Sequence, residues 1–152
     1  MGLIVVATDG SPAADAALDE ALDLAREAGH SLAVVTVWQA LQGDFGLAYP
    51  PTAVLSELLD AERDHAEATL ARAVEHGSAV GVPVETHLLT GDPAQTIARF
   101  ANEHHARMIA VGTHGYGTMM TLLMGSVSGD IIRQAGCPVL VAHAPPADES
   151  EA

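Results

Sequence analysis

The sequence predicts an open, doubly wound α/β fold: a parallel sheet with helices on both faces. Three observations lead there. Five short, β-branched apolar runs recur along the chain, at residues 3–8, 31–38, 82–89, 107–112 and 138–143. Each is nearly continuous rather than alternating, the pattern of strands covered on both faces. Helix-like segments with start and stop residues separate them, giving β-α-β-α-β-α-β-α-β, and right-handed crossovers then build a doubly wound sheet.

After the first run, Ser11 and Pro12 suit the N-cap and first position of a helix that Gly29 closes. Leu18, Ala21, Leu22 and Ala25 give it one apolar face. The second run leads into a long connection, residues 39–51, with Phe45 and Tyr49, expected as a surface excursion at the ligand end. A second helix is expected over residues 52–77, with Leu55, Leu58, Leu59, Ala66, Leu70 and Val74 in one stripe. Glu57, Asp60, Asp64 and Glu67 fall largely opposite. Asp92, Pro93 and Gln95 open a third helix as cap, first position and capping box. The fourth follows the Gly-rich stretch "GTHGYGTMMTLLMGS" and ends at Gly136, with Pro138 starting the last strand. Residues 1–144 read as one domain, and 145–152 as an acidic, disordered tail.

Hydrophobic residues make up 49% of the 152, but aromatics only 3%, so the core must be built from Ala, Val, Leu and Ile. Twenty acidic residues face six arginines and no lysine, for a net charge of −14. That balance disfavours nucleic acid and anionic membrane, which need clustered cations. It fits a halophilic, salt-rich cytoplasm, where an acidic surface stays soluble; a genome preferring Arg to Lys gives the same deficit of lysine. Without lysine there is no Walker A lysine, Schiff base or kinase strand lysine. Cys137, the single cysteine, lies in "AGCPVLV" and reads as a structural thiol. "MGLIVVATDG" has neither a basic n-region nor a cleavage site, and no apolar run approaches spanning length. The expected location is cytoplasmic.

In such a sheet, ligands bind beyond the carboxyl ends of the strands where strand order reverses. With strand one central, "ATDGS" (7–11) and "GTHGYG" (112–117) converge there. Asp9 at the first strand's tip repels phosphate, so it suits a ribose hydroxyl, a base amino group or a metal. "DGS" is equally an Asx-turn signal, and both roles can coexist. Ser126 after Gly125 can cap the fourth helix and also seat an anion at its N-terminus.

The spacing Gly112-x2-Gly115-x9-Gly125-Ser126, with "ATDGS" and "GCPVLVAH" near the two ends, resembles the ATP-binding universal stress proteins over residues 2–143. The resemblance implies strand order 3-2-1-4-5. It assigns the nucleoside to Asp9 with Ala7 and Thr8, adenine to the backbone of Val37, and adenosine to Val111 and Gly112. The phosphates fall to Gly115, Gly125, Ser126, Val127 and Ser128. It also implies a homodimer through the last strand, residues 138–143.

One departure concerns charge. Many members carry basic residues between the second and third glycines, where this chain has the uncharged "YGTMMTLLM". His114 is the nearest titratable group, as a phosphate contact or a solvent-facing loop residue. Arg133 lies two turns into the next helix, out of reach. Phosphate charge must then be met by backbone N–H groups, the helix terminus and Mg2+ or Mn2+ held through the phosphates, so AMP or ADP demands less than ATP. No protein metal site is expected: His104 and His105 point apart on a helix, and the other histidines lack ligand spacing. Met119, Met120 and Met124 read as packing.

The resulting expectation is an adenine-nucleotide-binding stress-response regulator whose bound dimer is read by an unidentified protein partner. The alternatives are a slow ATPase or autokinase and a nucleotide-independent dimeric interaction module, with an adenylating enzyme on a related fold more distant. Turnover requires a group that positions water, and Asp9 and His114 are the nearby candidates, so binding is favoured over turnover. The interaction module predicts loss of Gly125 or Ser126, and both are present.

Overall fold

β1 (Leu3–Ala7) is the central strand, and the chain builds outward from it in both directions. The computed structural model describes residues 2–38, 52–113 and 126–145. Expectations for residues 39–51, 114–125 and 146–152 lie outside them. The other elements are α1 (Pro12–Ala28), β2 (Ser31–Trp38), α2 (Thr52–Val80), β3 (Val84–Thr90), α3 (Pro93–Glu103), β4 (Met108–Gly112), α4 (Ser126–Gln134) and β5 (Val139–Ala142). The strands form one parallel sheet, β3-β2-β1-β4-β5, with Val5 opposite Ala33 on one side and Ile109 on the other.

The period-two alternation of the strands explains why both faces are apolar. Ile4, Val6, Leu32 and Val34 turn to one face, where Ala17, Leu18, Ala21, Leu22 and Ala25 of α1 meet Leu70 and Ala73 of α2. Val5, Ala33, Val35, Ile109 and Val111 turn to the other, under Ala94, Ile97, Phe100 and Ala101 of α3 and Ile131 of α4. Small and branched aliphatic side chains fill both layers, as a chain so poor in aromatics requires.

The expected caps are present. The Ser11 hydroxyl accepts from the Ala14 N–H at 3.3 Å, and Gly29, left-handed at φ 72°, donates its N–H to the Ala25 carbonyl. The Asp92 carboxylate accepts from the Gln95 N–H at 3.0 Å, with Pro93 just inside α3.

The expected stripe of α2 differs in detail. Ala66, Thr69, Leu70, Ala73 and Gly77 are its buried positions, whereas Leu58 is 43% and Val74 40% exposed. The cause is close approach. A Cβ on Gly77 would stand 2.7 Å from the Val82 carbonyl oxygen, so the helix meets the chain leading into β3 through its smallest residues. Val74, one position beyond Ala73, turns about 100° away from that contact. α2 also continues past Gly77 to Val80 before Gly81 turns the chain at φ 76°. Among the described residues, no helix is long and apolar enough to cross a membrane.

Candidate functional site

The turn after β1 leads to α1 on one face, while α4, which follows β4, packs on the other. Because β1 and β4 are neighbours, their carboxyl ends flank the crevice where the topology reverses.

At the β1 exit, Ala7 is half-buried and Thr8 buried. The Thr8 N–H donates to the Val35 carbonyl at 3.0 Å, and its Oγ1 accepts from the Gly10 N–H at 3.0 Å. The Ser11 N–H donates to Asp9 Oδ1 at 2.9 Å, the Asx-turn that "DGS" predicts. Asp9 is nonetheless exposed at the strand's tip, so the turn fixes the carboxylate without covering it. Gly10 takes φ 82°, a left-handed conformation that favours glycine.

At the β4 exit, Val111 is buried and Gly112 meets the first turn of α1. A Cβ on Gly112 would lie 2.7 Å from both the Ala13 carbonyl carbon and the Ala14 nitrogen. The first motif glycine therefore permits strand–helix contact, a purpose the Gly-rich spacing did not disclose. The Thr113 N–H donates to the Ala142 carbonyl at 2.8 Å, and the Thr113 carbonyl accepts from Ser128 Oγ at 3.1 Å. Ser128, buried in the first turn of α4, thereby ties that helix start to the end of β4.

Ser126 opens α4 as its first helical residue, one position inside the expected cap, within the ordinary spread of helix boundaries. Ser126 and Val127 are exposed, and the first-turn N–H groups of an α-helix have no intrahelical acceptors. Val37 lies near the end of β2, half-buried on the α3 and α4 face. The structure thus gathers Ala7, Thr8, Asp9, Val111, Gly112, Ser126, Val127 and Ser128 about adjoining strand ends, with Val37 one strand away. His114, Gly115 and Gly125 lie outside the described residues.

Two residues that sequence reasoning missed stand behind the β1 exit. Arg72 Nη2 donates to the Gly10 carbonyl at 3.0 Å and to Asp15 Oδ1 at 3.1 Å. Thr69, buried on the same face of α2, packs against Gly10, where a Cβ would meet its Oγ1 at 3.0 Å. No local pattern marks these contacts, because the Arg72 bonds span 62 and 57 residues.

Other polar groups are occupied elsewhere. Arg133 pairs with Asp130 on its own helix. His87 bonds Glu85 at 2.9 Å, while His104 stacks on Phe100 with ring centroids 4.0 Å apart. No group of three His, Cys, Asp or Glu among the described residues could hold a metal. Burial pushes the Cys137 thiol above its ordinary pKa, opposed by a backbone hydrogen bond at Ile109.

Residues 1–143 match the model of the universal stress protein family. The chain is 30% identical over 142 residues to universal stress protein YxiE of Bacillus subtilis, covering 91% of this chain and 96% of that protein. A universal stress protein from Archaeoglobus fulgidus in complex with dAMP is 30% identical, with TM-score 0.67, covering 93% of this chain and 97% of the other. A universal stress protein in complex with cAMP is 26% identical, with TM-score 0.71 and coverage of 95% and 98%. A family match spanning both the β1 exit and the α4 start, together with the shared sheet, settles the relationship: the chain belongs to the universal stress protein family.

Proposed function

We propose that this chain is an adenine-nucleotide-binding regulator whose nucleotide-bound dimer is read by a partner protein in a stress response. The observation that carries the proposal is the juxtaposition of two unlike surfaces at one strand-end crevice. One is the Asp9 turn, suited to hydroxyl and amino groups. The other is the start of α4, whose N–H groups and dipole suit phosphate. Two relatives in complex with adenine nucleoside monophosphates support the ligand class.

The charge balance favours AMP or ADP over free ATP. Polyphosphate would carry a divalent cation in with it, since residues 113–125 contain neither lysine nor arginine. Binding rather than hydrolysis is the proposed activity. Arg133, the arginine of α4, is engaged in a pair with Asp130 on its own helix.

Dimerisation would use β5, an edge strand whose Val139, Leu140 and Val141 are half-exposed. Asp15, Asp19 and Glu20 line the groove between α1 and this strand, with Leu140, Val141 and His143 across it. Pairing two copies along β5 would bring this acidic groove of each nearer the other, and screening should aid association.

The test is to denature the purified protein and identify released nucleotide by mass, followed by calorimetric titration of AMP and ATP. An adenine nucleotide released in stoichiometric amount, or bound on titration, is the expected result. Neither release nor binding leaves the dimeric interaction module as the function.

A further inference from the structure

We propose that Arg72 is a positioning residue of the nucleoside site, setting affinity for adenosine by fixing the β1–α1 turn from behind. The inference rests on the nucleotide-binding proposal above and adds a control point to the same site.

Three residues, Asp9, Gly10 and Ser11, make the turn, and Gly10 lies between the carboxylate of Asp9 and the helix cap of Ser11. The Gly10 N–H is held by Thr8 Oγ1, and the next N–H, of Ser11, by Asp9 Oδ1. Among the described residues, the Gly10 carbonyl is held across 62 residues, by Arg72 Nη2 at 3.0 Å. The same nitrogen reaches Asp15 in the first turn of α1, so one guanidinium joins α2, the turn and α1. Thr69, three residues earlier on α2, fills the space beside the Gly10 Cα.

Gly10 is buried, and losing the guanidinium from its carbonyl costs free energy that rotation of the turn toward water would relieve. Rotation at Gly10 displaces the Asp9 carboxylate on one side and the Ser11 cap on the other. α2 and Arg72 lie with α1 on one face of the sheet, whereas α4 lies on the opposite face. Arg72 therefore acts through the turn, not on phosphate, and even an uncharged nucleoside should register its loss. The site is thereby coupled to α2, so that whatever shifts α2 changes nucleoside affinity.

The experiment uses amide exchange on the ligand-free full chain and calorimetry with adenosine, whose neutrality removes direct Coulomb effects. Arg72→Met should speed exchange at the Gly10 and Ser11 amides roughly tenfold while β2 amides stay unchanged. It should weaken adenosine about tenfold, as expected for losing a charge-assisted hydrogen bond, and Arg72→Lys should recover part of that loss. Arg63→Met removes the same charge from the same helix, at an exposed Glu67 pair, and should leave adenosine binding unchanged. In an Asp9→Ala background, Arg72→Met should add no further loss, because both act through one turn. Unchanged exchange at Gly10 and Ser11, or unchanged adenosine affinity in Arg72→Met beside a wild type that binds, overturns the role of Arg72 alone. A wild type that binds no adenosine and no AMP overturns the nucleotide proposal, and this inference with it.

Discussion

Among the described residues, the two sides of the crevice differ in what they expose. The β1 exit is tied from all directions: Thr8 to β2, Gly10 to Thr8 and Arg72, and Ser11 to Asp9 and Ala14. The α4 start has Ser128 anchoring it to Thr113, while Ser126 and Val127 face outward. A pre-organised turn suits a ligand part of fixed shape, the nucleoside. An open helix start suits a part of variable charge and length, the phosphates. On the proposed reading, recognition and charge acceptance are separated between neighbouring strand ends.

The largest effect that sharpens this contrast comes from two glycines of one motif. Gly112→Val drives side-chain carbons into the backbone of α1 and should cost roughly 3 kcal/mol of stability, read as a lowered urea midpoint. Gly125→Val should leave folding and the dimer intact yet weaken AMP at least about a hundredfold, by blocking backbone approach to phosphate. Equal effects of the two on stability would erase the distinction between a packing glycine and a binding glycine.

Next in size is the edge strand. Pro138 and Ala142 accept from β4, so Val141 presents its N–H to the outer edge of β5; Val141→Pro removes that donor and should shift the proposed dimer to monomer in sedimentation at micromolar concentration. The wild-type dimer should tighten as potassium chloride rises, given the carboxylates lining the groove beside β5. A wild type that is monomeric at molar salt contradicts the proposed interface.

A smaller effect concerns ionic conditions at the nucleotide. At an effective dielectric of about 20, two like charges ~8 Å apart repel by roughly 2 kcal/mol, so ATP meets a real barrier on a chain of net charge −14. Magnesium and high salt should both strengthen ATP binding, with AMP responding far less. ATP affinity that ignores magnesium and falls with salt would reveal a cation serving the phosphates.

The smallest effect is at Cys137. Because burial raises its pKa, the thiolate fraction at pH 7 is lower than for a free thiol. Alkylation should be slow there and accelerate only above the ordinary thiol range. Rapid labelling at pH 7 would show a thiolate that burial does not suppress.

Much of this arrangement was legible in the residues. Ser11-Pro12 with Gly29, and Asp92-Pro93, mark helix limits locally, and the doubly buried strands write themselves as unbroken apolar runs. Chain order and the switch-point rule then place "ATDGS" beside Gly112. What stayed hidden depends on distance or on smallness. The hold of Arg72 on Gly10 joins residues 62 apart, and nothing local announces it. Gly77 carries no apolar signal, yet it sets how closely α2 meets the chain beneath it, leaving Val74 outside. Gly112 was legible as a motif residue, while its reason, contact with α1, required the packed helix.

The most direct measurement of the central claim is paired calorimetry of adenosine and AMP on Asp9→Ala and Ser126→Ala. If the β1 exit reads the nucleoside and α4 receives the charge, Asp9→Ala should weaken both ligands by a similar factor, about tenfold. Ser126→Ala should leave adenosine near its wild-type affinity and weaken AMP several-fold, about what one charge-assisted hydrogen bond contributes. Equal losses of both ligands in both variants would contradict the division of labour between the two strand ends.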